Sequence, residues 1–243
     1  MKLITTCLLL FLASLTSAQF INRGATIHVS EGAVVNADMA VTNTDNGTLT
    51  VDGQLHTSSN LTNTGGATLQ GDGRYELDGN WSNDANFIAG TSRVTFRGNG
   101  NSTLSSGGSS FHQLSLNKDD GSKLILNDGV EVGDTLFFEN AGRLQVGNAI
   151  LQVGAVQGAG PDRYVQTDGN GTLAQQVGNQ PVEFPVGNSA YNPATLTNNG
   201  TSDLYSLRVS DAVLEDGDSG APLTTAGVNR SWHVDEVVPG GSD

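Results

Sequence analysis

A four-residue block recurs three times at a spacing of twenty residues: Val41-Thr42-Asn43-Thr44, Leu61-Thr62-Asn63-Thr64 and Trp81-Ser82-Asn83-Asp84. The first two copies stay in register beyond the block, with Thr48-Leu49 matching Thr68-Leu69 and Asp52-Gly53 matching Asp72-Gly73. A short fixed period means that each unit is one supersecondary element. Such a unit buries its apolar face only by stacking on a neighbour. The repeat therefore predicts an extended coil and argues against a compact enzyme domain.

The residues between the blocks say which kind of coil. Short alternating runs such as Thr26-Ile27-His28-Val29, Thr48-Leu49-Thr50-Val51 and Arg93-Val94-Thr95-Phe96-Arg97 are strand patterns. Glycine, asparagine and aspartate punctuate them, with 32 glycines against 6 prolines, and little favours helix. The expectation is all-β: a right-handed parallel β-helix, or β-solenoid, over residues 19–158. Val41, Leu61 and Trp81 should stack inside it, and Asn43, Asn63 and Asn83 should align as a side-chain ladder that satisfies polar corners. From Phe111 to Gly158 the strands fall about ten residues apart, which reads as continuing coils with tighter corners.

Gln157-Gly158-Ala159-Gly160-Pro161 reads as a change of architecture. Beyond it the strands lengthen. Tyr205, Leu207 and Val209 share one face, and Trp232 and Val234 share another. Residues 159–243 are expected to form an antiparallel β-sandwich with one wet face per sheet. Pro185 places its strand at an edge. Trp232 to Val237 reads as an interior strand six residues before the last residue, so the sandwich is expected to be one or more strands short.

The first eighteen residues read as a secretory signal peptide. Lys2 is the basic start, Leu8 to Leu12 the apolar run, and Thr16-Ser17-Ala18 the small residues before cleavage after Ala18. The apolar run is well short of the ~20 residues that a membrane span needs. The protein is therefore expected to be secreted, extracellular or at the cell surface. Cys7 lies in the signal, so the mature chain relies on burial and backbone pairing without disulfides. Twenty-five acidic against 11 basic residues give a net charge of −14. Such a surface repels nucleic acid and anionic lipid. No later segment is long and apolar enough to cross a membrane, and the expected partners are extracellular glycans or surface proteins.

Several runs together carry a resemblance. They are Phe111-His112-Gln113-Leu114-Ser115-Leu116-Asn117, Phe184-Pro185-Val186-Gly187, Tyr191-Asn192-Pro193-Ala194-Thr195-Leu196 and Val228-Asn229-Arg230-Ser231-Trp232-His233-Val234. The chain resembles large secreted proteins of the Bacteroidota, in which β-helical adhesin-like repeats precede a β-sandwich and a C-terminal sorting domain directs type IX export. The resemblance implies an adhesive or structural role. The sorting domain is absent here, which leaves surface attachment open and suggests a fragment of a longer product.

Motifs for chemistry are sparse. There is no phosphate loop, no paired-histidine metal motif and no nucleophile elbow. His28, His56, His112 and His233 are scattered. Asp52 and Asp72 occupy equivalent positions, as an acid pair on adjacent rungs of a polysaccharide-degrading enzyme would. Each precedes glycine, however, which is turn chemistry. Glu215, Asp216 and Asp218 surround Gly217 and form the calcium candidate; the bland reading is a solvated loop. Asp134-Thr135-Leu136 resembles the short O-glycosylation acceptor motif of this bacterial group. The repeats show few aromatics and no basic cluster. The functional expectation is a structural or adhesive protein without catalytic activity and with no cofactor beyond that calcium. The alternative is an accessory or degenerate domain of a β-helical polysaccharide lyase or glycoside hydrolase.

Overall fold

The structure is a computed structural model that describes residues 19–217, 219–225 and 228–237. The expected signal peptide lies outside the described residues. These contain strands, turns and bends and no helix, and they form a β-solenoid of about eight turns stacked in parallel.

The first four turns are three-sided. Ala40–Thr44, Thr48–Val51 and Gln54–Thr57 make one turn, and Leu61–Asn63, Thr68–Gln70 and Arg74–Leu77 make the next. Each side becomes a sheet, of nine, four and ten strands respectively. Strand alternation sends every second side chain inward. One inward file runs Val41, Leu61, Trp81 and Leu104, each in register with the next. All four are buried, as the repeat alignment requires. On another side Leu55, Tyr75, Val94, Leu114 and Leu136 form the corresponding file. Where Trp81 replaces a smaller residue, the core fills with rings. Tyr75, Phe87 and Phe111 lie edge-on to it, with centroids 5.9, 4.9 and 5.5 Å away.

The asparagine ladder forms, and it is one rung longer than the repeat suggested. Asn22 Nδ2 donates to Asn43 Oδ1 at 2.9 Å, Asn43 Nδ2 to Asn63 Oδ1 at 2.9 Å, and Asn63 Nδ2 to Asn83 Oδ1 at 2.8 Å. Each amide also donates to a corner carbonyl, including those of Thr48, Thr68, Asn86 and Ser106. All four asparagines are buried. The ladder thus satisfies polar groups that the stack removes from water. The Asp-Gly corners stack for a steric reason. A Cβ on Gly73 would lie 2.1 Å from the Gly53 carbonyl oxygen, and one on Gly53 would lie 2.3 Å from that of Ala33. Only glycine lets successive corners approach so closely.

After Arg93–Gly98 no strand joins the four-stranded sheet, and each turn has two sides. The ten-residue strand spacing of this region is therefore half a turn. The turn itself keeps a length of eighteen to twenty-three residues throughout.

The expected break at residue 158 does not appear in the pairing. Val165–Gln166 pairs in parallel with Arg143–Gln145, Thr172–Val177 with Ile150–Gln157, and Val186–Gly187 with Val165–Gln166. Within the ten-stranded sheet, antiparallel pairing begins only with Asp203–Ser210, which adds to Thr172–Val177 and so extends the solenoid's own sheet. Ser231–Glu236 adds outside it and ends that sheet, so this strand is an edge and not an interior strand among the described residues. Val182–Phe184 and Ala194–Leu196 form a separate antiparallel pair. Alternation indicates which face a strand buries and is silent on which sheet the strand joins, so the alternating segments beyond residue 159 fit a sandwich and a solenoid end equally well in sequence. Pro185 separates two short strands, and its carbonyl accepts the Val165 N–H.

Candidate functional site

The parallel stack turns residues distant in sequence into outward columns on the ten-stranded sheet. Tyr75 and Leu77 point inward, so Arg74 and Glu76 point outward. In the next strand Val94 and Phe96 point inward, so Arg93, Thr95 and Arg97 point outward. Register sets Arg93 beside Arg74 and Thr95 beside Glu76. The following strands add Ser115 and Asn117, then Phe137 and Glu139. A depression of about 290 Å³ lies over this patch.

Its charges are interlocked. Arg97 Nη1 donates to Glu76 Oε2 at 2.6 Å, and Arg93 Nη1 to Glu139 Oε1 at 3.2 Å. The Arg93 guanidinium also lies over the Phe137 ring, 3.9 Å from its centroid, a cation–π contact that fixes the side chain's plane. Arg74 is exposed and makes no ion pair among the described residues. Two buried polar atoms in the patch, Arg93 Nε and Ser115 Oγ, have no hydrogen-bond partner. At the margins His56 stands beside Glu76 with Asp78 3.8 Å away, and Gln113 Nε2 donates to Asp134 at 2.6 Å. Three of the chain's 11 basic residues thus meet on one face of an acidic protein. The expectation of no basic cluster is overturned, because cross-rung register, and not proximity in the chain, brings Arg74 to Arg93. The signal available in the sequence was arginine at both outward ends of the Arg93–Arg97 strand.

The residues singled out from sequence are placed elsewhere. Asp52 and Asp72 do align on adjacent rungs, as corner acceptors. Asp52 accepts the Asp72 N–H at 3.1 Å and pairs with His28 at 2.8 Å; Asp72 accepts from Thr91 at 2.8 Å. The backbone N–H of Asp72, then the hydrogen bond with His28, holds the Asp52 carboxyl below its ordinary range. The Gln113 amide does the same for Asp134. A general acid needs the opposite shift. His28, His56 and His112 each stand within 4 Å of an aspartate, Asp52, Asp78 and Asp134 respectively. His233 Nε2 lies 3.2 Å from Ser210 Oγ. Thr135 of the glycosylation motif is buried within the strand Val130–Phe138 and offers no exposed hydroxyl.

Glu215 and Asp216 occupy an exposed turn in which the Glu215 N–H donates to Ala221 and the Asp216 N–H to Ser219. Asp218 lies outside the described residues. Among the described residues no three His, Cys, Asp or Glu side chains gather as a metal site, and no helix is long and apolar enough to cross a membrane.

Fold and site together define a β-solenoid with an outward arginine–glutamate patch. No protein-family model, curated protein or solved structure matches the chain.

Proposed function

We propose that the protein is a secreted or cell-surface solenoid of structural or adhesive type, without catalytic activity, which resembles the adhesin-like repeat proteins of the Bacteroidota. One observation carries the non-catalytic part. The two carboxylates of the outward patch, Glu76 and Glu139, are each engaged by a guanidinium in place of facing one another across a reacting bond. The arginine patch is then a contact surface held in shape by its own ion pairs. Extracellular glycans and surface proteins are the partners in this reading, and residues 1–18 are its export signal.

An accessory or degenerate domain of a β-helical polysaccharide lyase or glycoside hydrolase stays as the second reading, because an open arginine-bearing depression is also what a polysaccharide enzyme presents. Incubation with pectin, alginate and common plant glycans tests the non-catalytic part. We expect no product above a heat-killed control. Product release abolished by Glu76→Gln or Glu139→Gln would overturn the proposal. Terminal sequencing of protein recovered from the medium should begin at Gln19; an intact Met1 terminus would remove the export reading.

A further inference from the structure

We propose that the arginine patch on the ten-stranded sheet is a binding site for an acidic polysaccharide, a polymer bearing carboxylate or sulfate groups. The inference rests on the extracellular, non-catalytic reading above and names the ligand class of that site.

The first argument is electrostatic. A chain of net charge −14 repels polyanions over most of its surface. Here Arg74, Arg93 and Arg97 face Glu76 and Glu139, so the patch carries one guanidinium beyond its internal pairs. Arg74 is that guanidinium. It is exposed, and its five fixed N–H donors match a carboxylate or sulfate bidentately. The flanking acids bound the site and limit its positive charge to the arginine column: Asp134 is hydrogen-bonded by Gln113 with His112 at 3.9 Å, Asp78 has His56 at 3.8 Å, and Asp52 and Asp72 line a second depression on the other side of Arg74.

The second argument is donor chemistry. Beside the cations lie the Thr95 hydroxyl, the Asn117 amide and the half-buried Phe137 ring. A hydroxyl, an amide and one apolar ring suit a sugar, which offers many hydroxyls and one apolar face.

The third argument is shape. Arg74 and Arg93 sit in register on adjacent rungs, about 4.8 Å apart along the stack. Gln113 continues the column. An extended polymer lying along the solenoid axis would meet Arg74, Arg93 and Gln113 on three successive rungs.

Affinity electrophoresis tests this with alginate and polygalacturonate for carboxylate, dextran sulfate for sulfate, neutral dextran, and double-stranded DNA, at low and high salt. We expect retardation by one or both kinds of acidic polysaccharide, fading with salt, and none by neutral dextran or DNA. Arg74→Ala should weaken it about tenfold to a hundredfold, the loss expected for a hydrogen-bonded charge contact. Arg97→Ala should act in the same direction. Arg23→Ala, whose residue pairs with Asp45 elsewhere, should bind as the unaltered protein does. Circular dichroism melting confirms that each variant folds, and exposed Arg74 is the substitution least able to disturb folding. Absence of retardation by every acidic polysaccharide, equal retardation by neutral dextran or DNA, or unaltered binding by folded Arg74→Ala overturns the site. Those results leave the non-catalytic reading standing, whereas product release from a bound polymer sinks that reading and leaves the site.

Discussion

The asparagine ladder has a direction, and replacing Asn63 tests it. Every amide nitrogen points toward the next rung and every amide oxygen toward the previous one. Asn63→Ala deprives the buried Asn83 Oδ1 and the part-buried Asn86 carbonyl of the donor they share at 2.8 and 2.9 Å. Asn43 Nδ2 keeps its bond to Thr68. An orphaned buried acceptor costs about 1–3 kcal/mol, so the substitution should cost about that much through Asn83 Oδ1, with a smaller addition from the part-buried carbonyl. Asn63→Asp is the sharper perturbation. It keeps the oxygen that accepts from Asn43 and turns a second oxygen, and a charge, toward two acceptors. Burial and facing oxygens raise that carboxyl's pKa in the folded state. With the folded pKa above the unfolded one, the variant's stability is greatest at low pH and falls as pH rises through the folded value. Urea unfolding of both variants from pH 4 to pH 8 measures this, and coincidence of fluorescence and circular dichroism transitions checks that a single transition is followed. A cost below about 1 kcal/mol for Asn63→Ala would refute the reasoning, since it would mean that the two acceptors are solvated. A pH-independent Asn63→Asp would refute the direction assigned to the ladder.

Trp81→Ala should open a cavity among Tyr75, Phe87 and Phe111 and cost about 3–5 kcal/mol; its unpartnered Nε1 makes Trp81→Phe much milder, and equal costs in urea unfolding would contradict this packing. Lys118 is fully buried and donates to the carbonyls of Arg97 and Gly100 and to Ser102 Oγ. Lys118→Met should lose about 2–4 kcal/mol through those orphaned acceptors, and a neutral result would show that water reaches them. Asp52, whose carboxyl is lowered by the Asp72 N–H and His28, contributes stability that is present above its unfolded pKa near 3.8 and is lost as pH falls through the lower folded value. Asp52→Asn should therefore flatten the acid limb of the melting profile, and an unchanged limb would count against the corner bond.

The sequence by itself determined the period, the strand type and the direction of most side chains. A twenty-residue repeat must stack, so Val41, Leu61 and Trp81 had to share a file and Asn43, Asn63 and Asn83 a ladder. The glycines after Asp52 and Asp72 marked the turns. These features are local patterns repeated, and a repeat carries its own register. Asn22 escaped notice because its rung is twenty-one residues long, and the shift hides it from a strict period. Tertiary structure alone decided which sheet the last strands join, because Tyr205, Leu207 and Val209 bury one face equally well in a sandwich or at the end of a solenoid. It also decided the arginine patch. Arg74, Arg93, Asn117 and Glu139 lie on successive rungs of unequal length, and the loss of the third side after Arg93–Gly98 changes the spacing among them. Outward residues have no packing demand that writes a period into the chain, so their meeting follows only from hydrogen-bonded register between rungs.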